Sequence, residues 1–432
     1  MDRATLDARA WQGISVIAVW LLLALIPSPL WVHPLVPIPS LVIAANALGP
    51  RPWFVRWGLR GSPQRGLLLS AAVVGIAFAF GAVALAEPRP TTDQPLTITC
   101  AARDLWHGVD PYLTYEPQCL AALHSLSTSV TPLERGPFAT VTTYPSTSSL
   151  RRAIVHDQKN GSHAGFPAYG YPPEAALLIL PVAFTGWTGI SLWTLALSAL
   201  LVAASWGRPE RGKAVAFAWQ MAGLALLWAA FRWNPEDLSY LLLALSFARI
   251  DRAKLSSVAL AAAVCSNPLT WPAVPVYLAI LARDRDRVTR WTWLAGGVAV
   301  GILPWMIWDH HLLTQLWTFV TLPEFPLGAS LGVLAQLPSH SHLIYDVGLL
   351  AWIGTCTYLA WRWPRWRWSM VVLVYGCFVL SWRAPLYYFM PVLWLSPAVA
   401  LGACRLTESS RRGRAAPIPP EAEGSALVSA PN

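Results

Sequence analysis

Charge is what this sequence has least of. Asp, Glu, Lys and Arg make up 12% of 432 residues, about half the ~25% of a soluble globular chain, and that deficit excludes an ordinary cytosolic enzyme. Six cysteines in such a length exclude a disulfide miniprotein. With 55% hydrophobic residues, intrinsic disorder and a collagen-like chain are excluded too. What is present instead is 25 Trp, 37 Pro and a mean hydropathy of +0.45. That much apolar surface needs a solvent beyond one packed core, and lipid is the available one.

Uncharged runs locate the spans, because a charge at the bilayer centre costs roughly 2.5–3.5 kcal/mol on the lenient insertion scale. Runs 11–30, 66–86, 214–231, 291–308 and 384–404 meet or approach the ~20 residues of a spanning helix. Runs 32–48, 347–361 and 368–382 are shorter candidates. Runs 175–207 and 255–282 are long enough for two segments each, with breaks at Thr185-Gly186-Trp187 and Ser266-Asn267-Pro268. The expectation is an all-α polytopic membrane protein with about 11–13 transmembrane helices. The basic, then apolar, N-terminus has no small-residue cleavage site and reads as an anchor rather than a secretory signal.

Arginine clusters orient the chain. Arg51–Arg65, Arg208–Lys213, Arg249–Lys254, Arg283–Arg290, Arg362–Arg367 and the tail from Arg405 read as cytoplasmic, with both termini on that side. The net +9 is thereby accounted for without a nucleic-acid partner. The organisation read from this is 1–86, two or more spans with a basic loop; 87–170, an outer-face insertion; 171–404, the remaining spans; and 405–432, a disordered tail rich in Ser, Pro, Ala and Arg. Residues 171–186 read as re-entrant or partly embedded. No internal repeat is visible.

The insertion departs most from lipid-like composition, so function is expected there. Its first part, 93–126, has helical patterning and reads as helices lying on the membrane surface. Its second, 125–165, is rich in Ser, Thr, Pro and Gly and reads as mobile. Cys100 and Cys119 alone fall on the oxidising side; they either form a disulfide or pack as small apolar residues.

Several motifs occur in one order: an acid, Asp93, after an early span; GVDPY at 108–112; YGYPPEAALLILP at 169–181; RWNPEDLSYLLLAL; and VCSNPLTWP. Together they resemble the polytopic GT-C glycosyltransferases of the family-87 type, which are polyprenyl-phosphate-mannose-dependent mannosyltransferases. The resemblance covers most of residues 66–395. It implies a GT-C-like bundle and outer-face transfer of a mannosyl group, with inversion, from a lipid-phosphate donor to a glycolipid or envelope glycan. It implies no cofactor, and partners limited to that donor, that acceptor and membrane lipid. Asp93 matches the catalytic carboxylate. Two departures stand out: Arg232-Trp233-Asn234 where relatives often carry Gln before the Asn, and Asn267-Pro268 where they carry Lys-Pro.

The chemistry fits these residue types. An attacking alcohol must lose its proton, so one carboxylate serves as general base; the leaving lipid phosphate is already a stable anion and wants fixed cations or donors. Candidates to contact substrate are Arg383, Arg232, Asn234, His310 and His311, with Arg383 foremost because a permanent charge between two spans needs a reason to be there. Asp104 and Asp110 are alternative bases, and Tyr112 and Tyr171 candidate sugar-stacking rings. Each has a plainer reading. Asp93 could cap a surface helix, Asp104 could face solvent, Asp110 could make an Asx turn before Pro111, and the tyrosines could be interfacial belt residues. No metal site is expected, since the Asp309-His310-His311 run is insufficient alone. The rival classes are a transporter or flippase, which should show buried mid-span charges and internal symmetry, and an inactive membrane scaffold.

Overall fold

The computed structural model describes residues 37–49, 93–113, 117–126, 130–141, 143–160, 169–206, 236–309, 311–321, 325, 330, 342–384, 386–389 and 391–414. The expected spans at 11–30, 66–86 and 214–231 lie outside these residues, as do Arg232, Asn234 and His310.

The described residues are mostly helical and contain no strand. The helices are α1 (Pro37–Leu48), α2 (Asp93–Trp106), α3 (Pro117–Ser125), α4 (Thr147–Asn160), α5 (Pro173–Ile179), α6 (Gly186–Trp206), α7 (Asp237–Ala248), α8 (Ala253–Ser266), α9 (Ala273–Leu281), α10 (Arg287–Trp308), α11 (His311–Thr321), α12 (His342–Arg362), α13 (Arg367–Leu373) and α14 (Pro391–Arg414). Three are long and apolar enough to cross a membrane: α6, α10 and α12 over Gly186–Ser205, Arg287–Trp308 and Leu343–Arg362. Their flanks carry apolar side chains facing outward, including Leu200, Val300, Ile307 and Leu350, which lipid would cover.

Both expected breaks in the long apolar runs are present. After α5 the chain tightens into a 3-10 turn, Leu180–Val182, and restarts at Gly186, whose φ of +73° a side chain would resist. After α8, Asn267 is extended (φ −154°, ψ 125°) and its side-chain oxygen accepts the Leu269 N–H, opening the 3-10 turn Pro268–Thr270. Proline cannot donate into the helix it follows, so the helix stops there.

The main core is helix on helix: α7 packs between α6, α8 and α14, α8 lies along α10, and α9 against α12. Small residues set the closeness. A Cβ at Gly297 would press on Ala261, one at Gly301 would collide with Glu174 and Cys265, and one at Gly402 would collide with the Phe247 carbonyl. Such small-residue seams are how helices without a hydrophobic driving force between them gain contact. Basic turns gather at one end of this core. Arg290 donates to the Ile250 carbonyl (2.6 Å) and pairs with Asp284 (3.0 Å), Arg405 donates to the Ala248 carbonyl, Arg249 to the Ala204 carbonyl (2.7 Å), and Arg283 lies over Trp361.

Three expectations need correcting. First, α2 is not a surface helix: it is buried on nearly every side, with Leu96 and Cys100 in one apolar cluster and Ile98, Ala101 and Ala102 in another. Its polar residues disguised it. Thr97 and Thr99 return their hydroxyls to carbonyls one turn back (3.0 and 2.7 Å), so burial costs them little. Second, 125–165 is not uniformly mobile: α4 forms because Leu150, Ala153 and Ile154 recur at helical spacing and pack against α3, while the Ser146 hydroxyl accepts the Ser149 N–H at its start. Third, the tail is helical as far as Arg414, with Arg405 buried.

A disulfide, Cys100–Cys119, joins α2 to α3 with Cα atoms 6.0 Å apart. Of the two readings open for these cysteines, the covalent one holds.

Candidate active site

Helix α2 carries one group of site residues at each end. At its start, Asp93 is the acid of the first turn. Its Oδ2 accepts the Thr131 backbone N–H (2.8 Å), and the Thr131 hydroxyl accepts from Arg383 Nη2 (2.8 Å). Thr131 therefore bridges the two charges, its backbone N–H on the Asp93 carboxylate and its hydroxyl on the Arg383 guanidinium. Arg383 Nη1 also donates to the Phe325 carbonyl (3.4 Å), and the Ser381 hydroxyl donates to the Arg383 carbonyl (2.8 Å). Arg383 is 9% exposed, and burial of an arginine is tolerated where its fork is bonded. Burial raises the Asp93 carboxyl above its ordinary range, opposed by the Thr131 N–H and then by the Arg383 charge. Asp93 is therefore both a helix-start acid and a partner of a buried cation.

At the far end, α2 stops in a Schellman motif. Val109 N–H reaches back to the Asp104 carbonyl (2.8 Å) and Gly108 N–H to the Leu105 carbonyl (3.1 Å), with Gly108 at φ +71°. The glycine of GVDPY is thus the helix terminator. Asp110 then accepts the Tyr112 N–H (2.8 Å), the expected Asx turn. The turn carries Asp110 to the end of α10, where Asp309 and His311 lie; one ligand atom from each of the three falls within 4.8 Å of the others. Asp309 ends α10, and its Oδ1 accepts the His311 N–H (2.7 Å) and lies 3.2 Å from His311 Nδ1. Partial burial raises the Asp110 carboxyl, and the Asp309 carboxylate adds to the rise.

The sequence grouped these residues around one sugar; the fold separates them. Thirteen residue steps of α2 at 1.5 Å each put the two ends about 20 Å apart. Arg383 stays with Asp93, whereas Asp110, Tyr112, Tyr171 and His311 belong to the other end. The tyrosines are packed together rather than open. Tyr112 and Tyr169 are buried with rings 5.3 Å apart, Tyr112 donates to the Tyr171 carbonyl (3.0 Å), and Tyr169 to the Pro172 carbonyl (3.1 Å). Asp104 is fully buried, which overturns the solvent-facing reading. Asn267 is 1% exposed, and its side-chain oxygen is taken by the Leu269 N–H of its own turn.

Thr131 was missed. It lies in a Ser/Thr/Pro-rich stretch without periodicity, 38 residues from Asp93 and 252 from Arg383, and no local pattern marks a residue whose partners are that distant. Comparison with protein-family models, with curated proteins and with solved structures finds no match.

Proposed function

We propose that the chain is an inverting membrane glycosyltransferase that moves a mannosyl or other glycosyl group from a polyprenyl-phosphate sugar to a glycolipid or envelope glycan at the outer face of the cell membrane. The observation that carries this reading is the chain of Asp93, Thr131 and Arg383. It joins the carboxylate that matches the resembled family's base to the cation placed foremost among the candidates for the lipid phosphate, residues 290 positions apart in sequence.

The chemistry follows from the three groups. The acceptor hydroxyl gives its proton to Asp93 as its oxygen attacks the anomeric carbon, and a carboxyl raised above the usual range is a stronger base for that transfer. The C–O bond to the lipid phosphate breaks with its electron pair on the phosphate oxygen. Arg383, held by Thr131 and by the Phe325 carbonyl, stands to balance the charge that develops there, without needing to reorganise. No general acid is needed, because the leaving group departs as a stable anion.

The outer-face assignment rests on the clustering of basic turns at the opposite end of the helix core. Since Asn267 caps its own turn, the charge that Lys brings in the resembled family has to come from elsewhere, and Arg232 is the residue assigned to supply it.

The test is purified protein in detergent with radiolabelled polyprenyl-phosphate-mannose and a membrane glycolipid extract. Wild type should give labelled lipid or glycan, and Asp93→Asn should give none. No product from wild type with any polyprenyl-phosphate sugar would leave the transporter and scaffold readings standing in its place.

A further inference from the structure

We propose that Asp110, Asp309 and His311 form a binding site for one divalent transition-metal ion, of the zinc or manganese class, that ties the turn after α2 to the junction of α10 and α11. The site is separate from the Asp93 end of α2, and the proposal does not rest on the glycosyl-transfer reading.

Three observations carry it. The ligand atoms come from two distant stretches of chain yet lie within 4.8 Å of one another. A tetrahedral zinc site with bonds near 2.0–2.2 Å puts neighbouring ligand atoms about 3.3 Å apart, so closure asks for a shift of up to about 1.5 Å, within reach of side-chain rotation. Second, Asp309 is 3% exposed, and its Oδ2 is buried with no N–H or hydroxyl donor. Its other oxygen is occupied by His311, so a buried carboxylate at the cluster keeps one oxygen without a donor. Third, what faces Asp309 is a second carboxylate, Asp110. Two carboxylates set together in a partly buried place repel one another, and a dication between them removes both charges.

The ligand set selects the ion. Two carboxylate oxygens and one imidazole nitrogen suit zinc or manganese, whereas magnesium and calcium prefer oxygen alone. Three protein ligands leave at least one position for water or for a ligand's oxygen. Both anchors are rigid: Asp110 sits in its Asx turn just after the Schellman motif, and Asp309 ends a 22-residue helix.

The experiment strips the full-length protein in detergent with a chelator, loads it separately with Zn2+ and Mn2+, passes it over a desalting column and counts retained metal by elemental analysis. Wild type should keep about one equivalent of at least one of the two ions. Asp309→Asn and His311→Ala should each lower retention at least tenfold. Asp110→Asn, on an accessible turn, should do the same and decides the matter should the other two variants fail to fold. Retention of neither ion by wild type overturns the proposal. Equal retention by wild type and the folded variants overturns it as well.

Discussion

Removing the Cys100–Cys119 bridge should lower stability by an amount set by loop closure. The sulfurs link positions 19 apart, and for a loop of that length the chain-entropy relation gives about 3 kcal/mol of stabilisation lost on cleavage. For chains of 150–250 residues, 1 kcal/mol moves the midpoint by about 2–4 °C, so a fall of roughly 6–12 °C is the ceiling for a chain of 432 residues. Both cysteines are buried, at 1% and 3% exposure, and substitution to Ala would add lost packing to lost cross-linking. Reduced wild type separates the two, because it keeps the sulfur volume while opening the loop. Thermal unfolding in detergent of oxidised wild type, reduced wild type and the Cys100→Ala/Cys119→Ala variant should rank them in that order. Thiol alkylation before and after reduction counts the bridge directly. A reduced protein, shown by alkylation to have both thiols open, that melts with the oxidised one would refute the reasoning, since the loop would then be held closed by packing alone.

Other expectations follow from the same contacts. Asp93→Asn should cost 10²–10⁴-fold in transfer rate, the usual share of a general base, without loss of thermal stability. The sign follows from burial. A carboxyl raised in the folded state binds its proton more tightly there than when unfolded, so its stabilising contribution is present at low pH and is lost as pH rises through the folded value; Asn lifts that cost at neutral pH. For the same reason wild-type kcat/KM should fall on acidification through a pKa above the ~4 of an ordinary carboxylate. Arg383→Lys keeps the charge but cannot reach both Thr131 and the Phe325 carbonyl, and should raise KM for the lipid-phosphate donor by tenfold or more; an unchanged KM would remove Arg383 from the donor site. Gly402→Ala, whose Cβ would strike the Phe247 carbonyl, should destabilise by about 1–3 kcal/mol, while Gly354→Ala, with open space around it, should be neutral in the same melting assay.

Much of the helix layout was legible because its signals are local. Gly186 and Asn267-Pro268 break long apolar runs by backbone chemistry alone, and the run ending at Trp308 is long enough to announce α10 by itself. Arg383 was legible as a charge whose surroundings should exclude it, whereas Asp93 was legible only through the family resemblance, from its place after an early span. Composition misled where polar residues satisfy themselves inside a helix, as Thr97 and Thr99 do in α2, and where a Ser-rich stretch hides a helical stripe, as in α4. Pairing was illegible. Nothing near Asp110 in the sequence signals that a helix stop and an Asx turn deliver it to a histidine 201 positions later, and Thr131 has no local mark at all.

Helix α10 also works as a depth gauge. Its 22 residues measure about 33 Å along the axis, slightly more than the ~30 Å of hydrocarbon in a bilayer. Were the helix to cross a bilayer upright from its Arg287 end, its other end would emerge just beyond the oil of the opposite leaflet. Asp309 and the two residues gathered round it would then stand at the headgroup level of that leaflet, a depth set by helix length, which a bilayer several ångströms thicker or thinner would change.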